Sequence, residues 1–386
     1  MNCQAVIGVG YGDEGKGRVV SYLCGVYEKP LVIRFCGGHQ AGHHVVIDDK
    51  LNHVFSNFGS GTLQGVDTYW SRYCTIDPVG IVNELAVLKK KGIDPILYID
   101  GRCPVTTPFD KEENQRLDRV QANKHGTCGV GFGQTLQREA DHYSLLFSDL
   151  FYKDVFIIKM NLIKHYYSPF AILGGAINDI RHIGGADVID FLEACVELVL
   201  SKNILITDGF PDIDYYGYSD LIFEGSQGLL LDQGIGFFPH VTRAHTGTKN
   251  IGEIGFAPDV YLVTRAYQTR HGNGPMTNES IKHRIKPNPV EQQEEDGYQG
   301  KFRIAPLDLS LLKYAMERDE YIRDNPPTLV ITCMDLVQDS FILTIGGKVF
   351  RFKDEEAFIK TIKEYLHLNK IALSRSANSE DLVMAL

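Results

Sequence analysis

The segment Gly10-Tyr11-Gly12-Asp13-Glu14-Gly15-Lys16-Gly17-Arg18 constrains this chain more than any other. It follows an apolar, β-branched run, Ala5 to Val9, and precedes a helical pattern beginning near Val19. A strand that delivers a glycine-rich loop to a helix N-terminus makes a phosphate cradle. Glycines let backbone N–H groups converge on anionic oxygens, and the helix dipole adds a favourable field. Lys16 supplies a fixed cation. Gly17 stands where a Walker-type loop carries the Ser or Thr that holds Mg²⁺, so another oxygen must serve. Asp13, inside the loop, is the candidate, because hard cations prefer carboxylates.

Further short apolar runs have the length and β-branched content of buried parallel strands: Leu31 to Cys36, Ile96 to Ile99, Leu221 to Glu224, Val260 to Thr264 and Thr328 to Asp335. Helical spacing lies between them at Ile81 to Lys91, Val188 to Leu200 and Leu307 to Arg318. The alternation predicts an α/β fold with a central, mostly parallel sheet flanked by helices. Ser340 to Phe352 predicts a hairpin turning at Gly346-Gly347, followed by a helix with Phe358, Ile359, Ile362, Tyr365 and Leu366 on one face. Asn278 to Gln299, rich in Glu, Gln, Asn and Pro, predicts a mobile surface loop. No Pro/Ser-rich linker or like-charge run divides the chain, so residues 1–386 are expected to form one domain with insertions.

The formal net charge of −10 argues against a general nucleic-acid binder, which needs a surplus of Lys and Arg on one face. The eight cysteines are scattered, with no C-x-x-C pair, and read as reduced, mostly buried thiols. The opening MNCQAVIGVG lacks a basic region followed by a long apolar run, so no secretory signal is expected. No stretch approaches the roughly 18 consecutive apolar residues of a membrane helix. The expectation is a cytoplasmic protein with neither nucleic acid nor membrane as partner.

A second cluster, Gly37-Gly38-His39-Gln40-Ala41-Gly42-His43-His44, follows the run Leu31 to Cys36. Three histidines so close together invite a zinc reading. The spacing lacks the i, i+4 helical pair, however, and no Cys or acidic ligand follows closely. Phosphate contact and proton donation are the preferred reading. Gly126 to Gly131, Glu224 to Gly228, Val241-Thr242-Arg243 and Thr269 to Pro275 put small or polar residues after apolar runs or within turns. The ligand loops of α/β sheets gather at such places.

In this order the segments resemble the adenylosuccinate synthetase family over nearly the whole chain. The family's G-D-E-G-K-G loop stands at Gly12 to Gly17, its G-G-H-N-A-G-H segment at Gly37 to His43 and its serine-glycine turn at Ser60-Gly61. G-T-T-G stands at Gly126 to Gly129 and E-G-A-Q-G at Glu224 to Gly228. P-Y-V-T, T-R-x-G-x-G-P and T-K-L-D stand at Pro239 to Thr242, Thr269 to Pro275 and Thr332 to Asp335.

The resemblance implies a homodimeric α/β ligase acting on a purine nucleotide, L-aspartate and GTP, with one Mg²⁺ per site. It implies that Asp13 withdraws the N1 proton of IMP so that O6 attacks the γ-phosphate. His43 then donates a hydrogen bond or proton toward the leaving diphosphate, Lys16 neutralises charge, and the α-amine of aspartate displaces phosphate from C6. Asp13 and the carbonyl of Gly42 are the implied metal contacts. Gly12, Glu14, Gly15, Gly17, Arg18, Gly42, His44, Thr332 and Asp335 are the implied nucleotide contacts. Gln40, Thr127, Cys128, His142, Gln227, Thr242, Lys301 and Arg303 are the implied substrate contacts. The residue chemistry agrees, since a carboxylate can accept a lactam proton and phosphoryl transfer depends chiefly on positioning and charge neutralisation.

Departures gather where the family holds its purine nucleotide. Gln40 replaces an Asn, and Cys128 replaces a phosphate-binding Thr. His142 replaces an Arg that reaches the IMP phosphate across the dimer, and it lacks the bidentate fork. The aspartate loop T-T-G-R-x-R-R is represented by Tyr298 to Arg303, one residue shorter before Leu307-Asp308, which leaves Arg303 as the carboxylate clamp. Thr332 to Asp335 keeps the Asp that accepts from guanine N1 and N2, without the neighbouring lysine. S-T-G-P is matched by Ser374 to Ala377. GTP is therefore expected, with ATP as the alternative. IMP is expected over dGMP, which related phage enzymes use after replacing the loop aspartate that Asp13 keeps here. A nucleotide-binding regulatory protein without turnover is the rival class, and it would have no chemical need for Asp13, Lys16 and His43 together.

Overall fold

The apolar run near the N-terminus forms a strand whose residues from Gln4 to Gly8 are buried, as a strand covered on both faces of a sheet requires. A computed structural model describes residues 2–48, 50–120, 127–167, 186–286, 288, 300–376, 378 and 382–385. Its strands, in chain order, begin with β1 Asn2–Gly8, β2 Pro30–Arg34, β3 Gly37–Gly38, β4 His43–Val46, β5 Asn52–Phe55 and β6 Thr68–Trp70. They continue with β7 Cys74–Thr75, β8 Leu97–Asp100, β9 Ile204–Thr207, β10 Asp220–Gly228, β11 Asp259–Arg265 and β12 Tyr267–His271. The last are β13 Phe302–Asp308, β14 Thr328–Thr332, β15 Phe341–Ile345, β16 Lys348–Phe352, β17 Lys370–Ser374 and β18 Leu382–Ala385. Ten of them form the central sheet in the order β18-β17-β14-β11-β1-β10-β2-β6-β8-β9. Neighbours run parallel except β17 with β18.

Alternate residues of the inner strands serve two cores. On one face Val6, Val32, Ile222 and Val263 meet Val19, Val20 and Leu23 of helix α1, Lys16–Val26. On the other, Ala5, Ile7, Ile33, Phe223 and Leu262 lie in one cluster with Leu312 and Ala315 of helix Leu309–Arg318 and Phe358 and Ile362 of helix Glu355–Tyr365. Fully burying side chains of this size contributes roughly 1.5–3 kcal/mol each. Helices Pro78–Lys90 and Ala186–Leu200 cover β6 and β8 through Ile81, Leu85, Leu88, Phe191 and Leu198. A smaller sheet, β12-β13-β15-β16, stands beside the large one.

The predicted class holds, and the boundaries move for local reasons. Helix α1 starts at Lys16, not near Val19, because Gly15 takes a left-handed N-cap conformation with φ 88°. The helix read as Leu307 to Arg318 begins at Leu309. Leu307 and Asp308 finish β13, and the Asp308 carboxylate caps the helix by accepting from Ser310 N at 2.9 Å. β14 stops at Thr332 instead of Asp335 because Cys333 turns left-handed, φ 56°. The hairpin forms over β15 and β16 with Gly346 and Gly347 at positive φ.

The expected loop from Asn278 starts out anchored. Asn278 Nδ2 donates to Pro306 O at 3.0 Å and Thr344 Oγ1 at 2.8 Å, and Ile285 bridges Val337. Residues 287 and 289–299 of that loop lie outside the described residues. None of the eight cysteines is in a disulfide; five are buried and three half-buried. Among the described residues no helix is long and apolar enough to cross a membrane.

Candidate functional site

The carboxyl ends of the parallel strands, where ligand loops of α/β sheets gather, bring the sequence-predicted residues together. The loop leaving β1 turns through Gly12 at φ 88°, Asp13 at φ 54° and Gly15 at φ 88°. Lys16, Gly17 and Arg18 are thus the first turn of α1, whose N–H groups have no intrahelical partner and suit an anion. Glu14 is buried beneath the loop. Its carboxylate accepts from Gly10 N and lies 3.6 Å from Lys16 Nζ. Burial raises the Glu14 carboxyl above its ordinary value, outweighing the pull of Lys16. Thr332, at the end of β14, donates to Glu14 O at 2.8 Å, so it braces the loop from below. Arg18, also buried, donates to Ser376 O.

Asp13 is held from two sides. Its carbonyl accepts from Arg265 Nε, and its Oδ2 lies 3.2 Å from His271 Nε2 at the end of β12. The side chain remains 44% exposed, so it borders open space in which a ligand can approach. Desolvation pushes its carboxyl up, but the hydrogen bond and charge of His271, with Arg265 and Lys16, win and hold it below the ordinary value.

His43 opens β4 with its ring buried. Nδ1 lies 2.5 Å from Glu224 Oε1 on β10, and Nε2 has no partner among the described residues. Glu224 also accepts from Ser60 N at 3.0 Å and from the Ser60 hydroxyl. Its register partner on β2 is Arg34, a fully buried guanidinium lying 5.3 Å over the Trp70 ring. Burial lowers the His43 pKa, and the charge and hydrogen bond of Glu224 offset part of that.

Burial alone would raise the Glu224 carboxyl, yet His43, Arg34 and Ser60 bring it from 4.5 to about 2. A depressed carboxyl contributes stability above its unfolded value and loses it as pH falls through the folded one. Glu224→Gln should therefore flatten the acid limb of the stability curve between 4.5 and about 2. At neutral pH it should lose about 3 kcal/mol of unfolding free energy in urea titrations, the usual cost of breaking a buried pair. An unchanged acid limb would remove Glu224 from this role.

The same packing accounts for Gly17. A Cβ there would stand 2.7 Å from His43 Cβ and 2.9 Å from Ser60 Oγ. The histidine occupies the space that a Walker-type Ser or Thr would need.

Around this centre lie buried polar atoms without partners among the described residues: both amide atoms of Gln40 and Oε1 of Gln227. Each glutamine borders the Gly37-Gly38 backbone. Cys128 Sγ lies 3.8 Å from Gln40 O, which brings the 127–129 segment against the 37–44 segment. The Thr127 hydroxyl donates to Asp118 and accepts from Asn114 Nδ2 at 3.0 Å. Gly126 lies outside the described residues, as do Tyr298, Gln299 and Ala377. Gly42 is exposed beside His43, and Thr242 is half-buried with its N–H on Leu231 O at 2.8 Å. Arg303 contacts the Glu279 carboxylate at 3.0 Å and Gly274 O.

Other predicted residues stand apart. The three histidines of the second cluster diverge. His39 Nε2 lies 3.0 Å from Val130 O, His43 meets Glu224, and His44, next along β4, points to the opposite face. His142 is exposed at φ 68° beyond helix Phe132–Ala140. Asp335 and Lys301 are exposed. Glu224, His271, Ser60, Arg265 and Arg34 were not named as site residues from sequence. Glu224 and His271 do sit in segments singled out there, which was the one signal the sequence offered for them. A cavity of about 930 Å³ between helices Pro78–Lys90 and Ala186–Leu200 touches none of these residues.

A protein-family model described as adenylosuccinate synthetase matches residues 5–371. The adenylosuccinate synthetase of Aliivibrio fischeri is 30% identical over 299 residues, 75% of this chain and 66% of that protein. That of Petrotoga mobilis is 27% identical over 348 residues, 87% and 79% of the two chains. That of Ectopseudomonas mendocina is 32% identical over 291 residues, 71% and 64%. The chain thus spans about two thirds of the length of the first and third relatives. Among solved structures, a fully ligated adenylosuccinate synthetase from Plasmodium falciparum matches with TM-score 0.78 at 17% identity, covering 100% of both chains. A cyanophage S-2L succinoaminodeoxyadenylate synthetase bound to dGMP and dATP matches with TM-score 0.62 at 15% identity, covering 99% and 95%. At these identities the likeness is one of fold.

Proposed function

The chain belongs to the adenylosuccinate synthetase family, and from that premise we propose that it is a ligase joining L-aspartate to a 6-oxopurine nucleotide, IMP first, with cleavage of GTP by way of a 6-phosphoryl intermediate. The observation that carries the reading is the convergence of Asp13, Lys16 and His43 on one loop, each fixed by a buried or strand-borne partner. A carboxylate held ionised and left partly open can take the N1 proton of a lactam, turning O6 into a nucleophile. Lys16 and the N–H groups of the first turn of α1 neutralise the phosphate oxygens. His43, with Nδ1 fixed on the Glu224 carboxylate, would give the Nε2–H of its protonated ring to the leaving diphosphate. Gln40 and Gln227 offer buried amides to the purine nucleotide, and Arg303 offers a guanidinium to the carboxylates of aspartate.

Asp13 and the Gly42 carbonyl would hold Mg²⁺. One carboxylate and one carbonyl, each on an exposed residue, suit a cation that keeps most of its coordination for water and phosphate. When bound, it supplies further neutralisation of phosphate charge. The enzyme acts as a cytoplasmic homodimer in this reading.

Phosphate release with GTP, Mg²⁺ and aspartate across IMP, dIMP, GMP and dGMP, repeated with ATP, tests the reading. The expected result is turnover selective for IMP, with a succinyl adduct found by mass spectrometry. Selectivity for dGMP would move the acceptor to the one named for the cyanophage structure. Nucleotide binding without phosphate release across the panel would support the regulatory alternative and end the ligase reading.

A further inference from the structure

The Asp13–His271 contact joins a loop residue to a strand residue 258 positions away, and the motif T-R-x-G-x-G-P leaves the histidine's position open. Asp13 is a non-glycine residue at φ 54°, a conformation that persists only where the surroundings over-determine it. Arg265 holds its backbone carbonyl, but nothing in that contact fixes the side chain. A carboxylate on a loop can rotate among staggered χ1 wells, and one of them presents an oxygen to a given ligand atom. His271 supplies the missing restraint. Its ring is itself immobilised, 4.8 Å from the Phe302 ring, its register partner on β13. Gly272 N, the next residue, donates to Lys301 O at 3.2 Å and ties the end of β12 down. With Nε2–H given to Asp13 Oδ2, one carboxylate oxygen is oriented by the ring and the other is left for substrate and the cation.

We propose that His271 is a positioning residue for the base, its Nε2–H fixing the Asp13 carboxylate in the orientation that meets the purine N1 proton. The assignment rests on the reading of Asp13 as that base. The role is one of geometry, carried by the Nε2 contact with Asp13 Oδ2.

Two variants separate the hydrogen bond from the packing. His271→Phe keeps a ring against Phe302 and removes the donor. His271→Gln keeps an N–H donor and removes the ring. In steady-state phosphate release, His271→Phe should lower kcat about 10- to 100-fold with the KM values for both nucleotides and aspartate within about threefold. His271→Gln should recover most of that loss. In the Asp13→Asn background, His271→Phe should add no comparable further loss, because the two residues act as one unit. Equal damage from Phe and Gln, or a full multiplicative loss in the double variant, would overturn the proposal. Crystal structures of the two variants give a readout that needs no turnover. Asp13 should leave its rotamer in His271→Phe and keep it in His271→Gln, and an unmoved carboxylate in the Phe variant would also overturn it. If the wild type releases no phosphate with any nucleotide of the panel, the ligase reading fails, and the crystal structures still decide whether His271 orients Asp13.

Discussion

Asp13→Ala should lose phosphate release by about 10²-fold or more, the effect of removing a positioned base. The fold should survive the change. The side chain is 44% exposed and its one described side-chain partner is His271. What alanine does add is backbone strain at φ 54°, about 1–2 kcal/mol. Asp13→Asn is therefore the cleaner companion, since asparagine tolerates the left-handed region and can still accept from His271. Both variants should lose turnover, whereas a stability difference should appear in alanine alone. Thermal unfolding beside the release assay separates the two effects. Persistent phosphate release in the asparagine variant would take the proton-abstracting role away from Asp13.

Gly17→Ser, which restores the hydroxyl of a Walker-type loop, should inactivate the protein. Its Cβ would fall 2.7 Å from His43 Cβ and 2.9 Å from Ser60 Oγ. His43 cannot yield through its ring, because the clashing atom is the one joined to the backbone and Nδ1 is tied to Glu224. Overpacking of this kind costs about 1–3 kcal/mol, and the strain falls on the His43–Glu224–Ser60 cluster. A misplacement near 1 Å at a catalytic group can cost about 10²-fold in rate. Release assays and nucleotide binding by calorimetry should show a larger loss of kcat than of affinity. A serine variant with the wild-type rate would mean that His43 has no fixed position to lose.

Much of the α/β frame was legible because its signals are local. Ala5 to Val9 announces a buried strand, Gly346-Gly347 announces a turn, and Phe358, Ile359 and Ile362 at helical spacing announce an amphipathic helix. Boundaries failed where a single residue's dihedral decided them, as at Gly15 and Cys333. Short or half-buried strands such as β6 and β9 carried too few residues to show a period.

The site divides in the same way. Asp13, Lys16 and His43 are bound up with glycine-rich segments whose chemistry can be read in place. Their partners Glu224 and His271 meet them across separations of 181 and 258 residues, which no spacing rule spans. Gly17 is the converse case. Its departure from the Walker pattern was visible, but the reason for it, a histidine from β4 standing in the gap, is visible only in three dimensions.

The bracing of the phosphate loop also bears on how the protein is made. Residues 10–18 leave the ribosome before the residues that brace them. The groups that hold them come from Arg265, His271, Thr332 and finally Ser376, which meets Arg18 across 358 residues. Such distant pairings are slow to form, because the intervening chain must close first. While the residues between positions 18 and 376 are being made, a nascent chain therefore carries the sequence of this loop without its full bracing. The set of contacts that braces the loop is complete only when residues near position 376 have emerged.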